Sequence, residues 1–163
     1  MFLSTISHGQ RVIDVCCYSG GFALNAAKGG AMSITGVDTS LPVLELAREN
    51  IVLNNMDPGK TSFLREDATV FMRSAESWDI VVLDPPKLAP SRKVLQSASG
   101  MYRKLNSLAM KITRRGGLLM TCSCSGAMTQ NGMFLRTLQV SDFSVSCSFC
   151  DYSHCLISML LIP

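Results

Sequence analysis

Five short apolar runs recur along this chain, each followed by acidic, glycine or small polar residues and separated by stretches with helical periodicity. The runs at 11–17, 33–37, 62–65, 80–83 and 118–121 read as strands. Ile80-Val81-Val82-Leu83 is apolar throughout, as in a strand covered on both faces. Helices are expected over 22–28, from Ser40 onward, over 68–75 and over 101–114. Ser40 suits a helix N-cap and Pro42 a first turn, with Val43, Leu46, Ala47, Asn50 and Ile51 on one face. Strand–helix alternation at this spacing requires right-handed crossovers, and therefore an α/β fold with a doubly wound, mostly parallel sheet. Ligands of such sheets bind beyond the carboxyl ends of the strands.

The chain has 163 residues, which suits one domain with a sizeable core. At 47% apolar residues it is not a disordered chain. No run of about 18 apolar residues is present, so a transmembrane helix is not expected. The opening MFLSTISHGQR lacks the layout of a signal peptide. Seven cysteines, an odd count without a secretory leader, suit a reducing intracellular compartment, the cytoplasm or an organelle, and not a disulfide framework.

Charge is unevenly placed. Residues 1–84 carry six basic and ten acidic side chains, whereas 85–141 carry nine basic side chains and no acid. A basic half of this kind suits a polyanion such as RNA, or is a solvated helix face without acids. If it is an RNA face, all nine bases belong to it, with Lys87, Arg92, Lys93, Arg103 and Lys104 nearest the site.

The residues just past each strand carry the chemistry. The loop Cys17-Tyr18-Ser19-Gly20-Gly21-Phe22 is glycine-rich but lacks the G-x-G-x-x-G spacing of a dinucleotide site. Asp38, after the second strand, is placed to accept from a ribose diol, and Asp67, after the third, from an exocyclic amine. Each of these acids reads alternatively as a helix cap. Asp84-Pro85-Pro86-Lys87 offers fixed acceptors to a planar base, or is a strand stop before a surface loop. Cys124, past the fifth strand, can serve as a nucleophile if its thiol is activated, whereas Cys122 reads as a small buried residue.

These motifs match a family. VIDVCCYSGGFALNAAKGGA, VDTS, AREN, LDPPK and TCSCSG closely resemble the bacterial-type 23S ribosomal RNA cytosine-5 methyltransferases that carry a PUA domain, over roughly residues 10–139. The resemblance implies a Rossmann-like class I methyltransferase fold that binds S-adenosyl-L-methionine, with ribosomal RNA as substrate. It implies a cofactor loop of Tyr18, Ser19, Gly20, Gly21 and Phe22, with Asp38 on the ribose and Asp67 on the adenine. Asp84 would face the methionine end and the target cytosine, and Cys124 would be the nucleophile. Pro85, Pro86, Lys87, Arg92, Lys93, Arg103 and Lys104 would meet the RNA. N-methylation of a guanine, or an inactive form that only binds cofactor or partners, are the rival readings; a covalent adduct through Cys124 separates the first.

The resemblance stops near residue 140. Residues 1–140 are expected to form the methyltransferase domain and 141–163 a divergent tail, so that the sheet lacks its final strands. The PUA domain has no counterpart in this sequence. Cys147, Cys150, His154 and Cys155 are ligand types of a zinc site, but in such a tail they read as coincidence, and no metal is expected.

Overall fold

The computed structural model describes residues 3–89, 94–129, 132–141, 146–152 and 155–161. Its elements are α1 (Leu3–Ile6), β1 (Arg11–Val15), α2 (Gly21–Lys28), β2 (Ser33–Asp38), α3 (Leu41–Leu53), a 3-10 turn (Pro58–Lys60), β3 (Thr61–Arg65), α4 (Ala68–Ser74), β4 (Trp78–Leu83), α5 (Leu95–Ile112), β5 (Thr113–Ser123), α6 (Gly126–Thr129), α7 (Met133–Ser141), β6 (Ser146–Tyr152) and β7 (Cys155–Leu161).

The strands form one sheet in the order β3-β2-β1-β4-β5-β7-β6. β3, β2, β1, β4 and β5 pair in parallel. β7 runs antiparallel between β5 and β6. The strand order reverses between β1 and β4, which makes their carboxyl ends the switch point where a crevice opens.

Period-two alternation divides the core between the two faces. On β1 and β4, Val12, Ile80 and Val82 pack on one side with Ala23, Ala26, Leu44, Ala47 and Ile51 from α2 and α3. Ile13, Val15, Val81 and Leu83 pack on the other with Met72, Tyr102, Leu105, Ala109 and Phe134 from α4, α5 and α7. Burying a side chain of this size contributes about 1.5–3 kcal/mol, so the apolar run of β4 is a principal anchor of the fold.

Three expectations are corrected. The sheet does not lack its final strands: β6 and β7 fill those positions. The physical reason is visible in Cys155-Leu-Ile-Ser-Met-Leu-Leu161, a nearly continuous apolar run suited to a strand with neighbours on both sides. The first strand stops at Val15, two residues early, because Cys16 takes a left-handed φ of 64° and turns the chain. The buried face of α3 is Leu44, Ala47 and Ile51, whereas Leu46 is 42% exposed. Only one stripe of that helix meets the sheet, and the apolar residues between its members face outward.

Candidate active site

A cleft of about 750 Å³ opens at the carboxyl ends of β1, β2 and β4, lined among others by Cys16, Tyr18, Asp38, Glu66, Asp67, Asp84, Pro85, Pro86, Lys87, Met101, Lys104, Leu105 and Cys124. Each acid arrives there by strand geometry. Asp38 is the last residue of β2, Asp67 follows β3 by two residues, and Asp84 directly follows β4.

The glycine loop is shaped locally. Gly20 adopts φ 79°, and a Cβ there would lie 3.1 Å from the Ala47 Cβ, so only glycine fits comfortably. Gly20 is the N-cap of α2, and Asn50 donates to the Ser19 carbonyl at 3.0 Å. Ser19, Gly20, Gly21 and Phe22 do not line the cleft; they set the path of the backbone that presents Tyr18 to it. Tyr18, with φ 48°, is 65% exposed.

Asp38 is fixed at both oxygens. The Tyr18 amide donates to Oδ2 at 3.1 Å and the Ser40 amide donates to Oδ1 at 3.0 Å. Ser40 stands at the N-cap of α3, as expected, but makes no side-chain capping bond. Asp67 is both a cleft residue and a cap. Its Oδ1 accepts from the Thr69 hydroxyl and from the Thr69 and Val70 amides. The Thr69 hydroxyl bond is the chief cause of a carboxyl held below its ordinary range.

Asp84 is held by its own amide, which donates to the Val15 carbonyl at 3.1 Å. Burial pushes its carboxyl above the usual range, and its Oδ1 is buried without a partner. An orphaned acceptor on a residue that lines the cleft is matched by a ligand that brings a donor or positive charge.

Cys124 and Cys122 part ways as the end of β5 dictates. Cys122 is buried in the strand, and Cys124, one residue past it, is exposed and lines the cleft. Neither is in a disulfide.

Sequence reasoning missed Asp14, Cys16 and Glu66. Asp14 is fully buried in β1, and its Oδ2 accepts from the Ala23 amide in the first turn of α2 at 3.1 Å. Burial chiefly, with Asp84 and Asp38 nearby, raises its carboxyl to about 7. An acid inside an otherwise apolar strand was the available signal. Cys16 reads as a small buried residue, yet it lines the cleft; burial and the surrounding carboxylates raise its thiol to about 12.

The basic segment does not form one face. Lys87 and Lys104 enter the cleft, and Arg103 is exposed on α5 but does not line it. Arg114 pairs with Asp79 at the amino ends of β4 and β5, opposite the cleft, because β5 begins far from the site that it ends in. Arg92 and Lys93 lie outside the described residues, as does His154 of the cysteine-rich tail.

A family model for S-adenosylmethionine-dependent methyltransferases matches residues 2–145. The chain belongs to that family. It is 41% identical over 129 residues to Ribosomal RNA large subunit methyltransferase I of Aeromonas hydrophila, an alignment covering 77% of this chain and 32% of the relative. The chain thus spans about a third of the length of the curated relatives that it matches. Among solved structures, SMU.776 complexed with SAH superposes with a TM-score of 0.82 at 20% identity, covering 98% of this chain and 47% of that one. NSun6 from Pyrococcus horikoshii with SFG superposes at 0.77 and 17% identity, covering 98% and 50%. At these identities the likeness shows the Rossmann-like methyltransferase fold.

The cleft residues fit the cofactor of the family. S-adenosylmethionine carries a ribose diol, a planar adenine with an exocyclic amine, and an ammonium beside a sulfonium. The fixed carboxylate of Asp38 and the orphaned Oδ1 of Asp84 suit the diol and the positive end. Among the described residues no helix is long and apolar enough to cross a membrane.

Proposed function

We propose that this chain is the methyl-transferring part of an RNA cytosine-5 methyltransferase, with large-subunit ribosomal RNA as its substrate. Asp38 takes the ribose hydroxyls of S-adenosylmethionine, Asp67 the adenine amine, and Asp84 the methionine end, with Tyr18 over the ribose side. When bound, the cofactor supplies an electrophilic sulfonium methyl. Ser19, Gly20, Gly21 and Phe22 hold the loop that shapes this pocket.

One observation carries the assignment to carbon rather than nitrogen: an exposed thiol, Cys124, lies in the same cleft as Asp84-Pro85-Pro86. Cytosine C5 is a poor nucleophile. Addition of the Cys124 thiolate to C6 moves the ring electron pair to C5, which can then accept a methyl group. Loss of the C5 proton to a base and departure of the thiolate restore the aromatic ring. Asp84 and the rigid Pro85-Pro86 backbone orient the base, and Lys87, Arg92, Lys93, Arg103 and Lys104 hold the flanking phosphates. Methylation of a guanine amino group needs no thiol.

The test is the identity of the product. Incubation with methyl-labelled cofactor and ribosomal RNA fragments, followed by nucleoside digestion and mass spectrometry, should give 5-methylcytidine. Label recovered only in an N-methylguanosine overturns the reading.

A further inference from the structure

Cys124 is flanked by two serines that behave in the opposite way. Ser123 and Ser125 are both fully buried, whereas Cys124 between them is exposed. Alternation along an extended backbone sets Cys124 opposite its neighbours, and the two inward serines share a set of hydrogen bonds. The Ser123 hydroxyl donates to the Tyr102 hydroxyl at 3.1 Å, and the Tyr102 and Ser125 hydroxyls lie 3.1 Å apart in a second hydrogen bond. The Ala89 amide, on the loop that begins with Asp84-Pro85-Pro86-Lys87, donates to the same Ser125 oxygen at 3.1 Å. Tyr102 is itself wholly buried in α5, its ring edge-on to Phe134 at 5.4 Å.

We propose that Tyr102 is a positioning residue of this site: its hydroxyl ties the loop carrying Cys124 to the 84–89 loop, so that the thiol and the Asp-Pro-Pro wall face a substrate base at one set separation. The inference rests on the cytosine-5 reading for its purpose, but its geometry stands without it. Apolar packing alone would hold α5 against the sheet and would not require a hydroxyl at this point. With the hydroxyl present, both inward-facing serines find a partner, which fixes the segment on either side of the outward-facing thiol. The Ser125 oxygen, shared between Tyr102 and Ala89, makes the two loops one unit. Alignment of this kind matters because a displacement of about 1 Å at a reacting atom can cost on the order of a hundredfold in rate.

Tyr102→Phe keeps the ring and its packing and removes only the hydroxyl; Ser125→Ala removes the shared oxygen. Residue-resolved amide exchange reads the tie directly. The Ala89 amide bonds to Ser125 and reaches Tyr102 through that shared oxygen; it should exchange about three- to tenfold faster in Tyr102→Phe and about tenfold faster in Ser125→Ala, the effect of weakening or losing one hydrogen bond. The second readout is covalent capture by an RNA containing 5-fluorocytosine at saturating cofactor. Capture should slow at least tenfold in Tyr102→Phe, while alkylation of Cys124 by iodoacetamide, which needs no alignment, stays within about twofold. Unchanged Ala89 exchange in either variant overturns the tie, and wild-type capture rates in Tyr102→Phe overturn the positioning role. If the unmodified chain captures no RNA, or Cys124→Ala still does, it is the cytosine-5 reading that fails, and Ala89 exchange alone then decides whether the tie exists.

Discussion

The Tyr18 amide donates to the Asp38 carboxylate at 3.1 Å, so the loop after β1 and the end of β2 are joined through the acid expected to hold the cofactor ribose. The bond orients the carboxylate before any ligand arrives. It also means that Asp38 serves binding and loop shape together.

Asp38→Ala should therefore weaken S-adenosylmethionine binding by about 1.5–3 kcal/mol, the value of charged hydrogen bonds. Calorimetry would read this as at least a tenfold rise in Kd. Asp38→Asn, which can still accept from the Tyr18 amide, should lose less. Equal affinity in Asp38→Ala and the unmodified chain would remove Asp38 from the site.

Asp14 predicts a pH dependence of stability. Its carboxyl is raised to about 7 in the folded chain from 3.8. Between about pH 4 and pH 7 the folded state thus keeps a proton that the unfolded state has lost. Stability from this group is full below pH 4 and is lost as pH rises through 7, by about 4 kcal/mol at most. Asn at this position can still accept from the Ala23 amide and cannot ionise. Urea unfolding at pH 5 and pH 8 should show a smaller fall in Asp14→Asn than in the unmodified chain. An equal fall would show that Asp14 is not the buried acid responsible.

The two cysteines of the TCSC motif should separate by stability. Cys122→Ala, deep in β5, should cost about 1 kcal/mol as a small cavity opens. Cys124→Ala, at the surface of the cleft, should stay within about 0.5 kcal/mol. Denaturant midpoints check both, and a larger loss at Cys124 than at Cys122 would contradict the placement.

Much of this site could be read from strand ends alone. Asp38, Asp84 and Cys124 each stand at or one residue beyond the end of a strand, and a parallel sheet sends all such positions to one rim. Asp14 escaped notice because it lies within the run and its partner, the Ala23 amide, is set by the tertiary turn into α2. The Tyr102 network was equally hidden: Tyr102 falls within the helix expected over 101–114, but nothing local links it to serines more than 20 residues away. The final strands lie past residue 140, where the resemblance read from the motifs ends, and pairing in a sheet asks for an extended run with strand character and not for family likeness.

RNA affinity should depend on salt, because phosphate contacts dominate it. Binding of unstructured RNA is expected at roughly micromolar Kd or weaker with little sequence preference. Lys104→Ala should lower the slope of log K against log salt by about 0.7, the release from one single-strand phosphate. Arg114→Ala, on the far end of the sheet, should leave the slope unchanged. A filter-binding salt series in which Arg114 matters and Lys104 does not would place the RNA elsewhere.

Covalent capture tests the central claim most directly. The chain, S-adenosylmethionine and an RNA bearing 5-fluorocytosine should give a denaturation-resistant protein–RNA adduct, because fluorine at C5 cannot leave as the proton does. Peptide mass spectrometry should place the RNA on Cys124, with no adduct in Cys124→Ala and an undiminished one in Cys122→Ala. An adduct that persists in Cys124→Ala, or one mapped to Cys16 or Cys122, would contradict the assignment of Cys124 as the nucleophile.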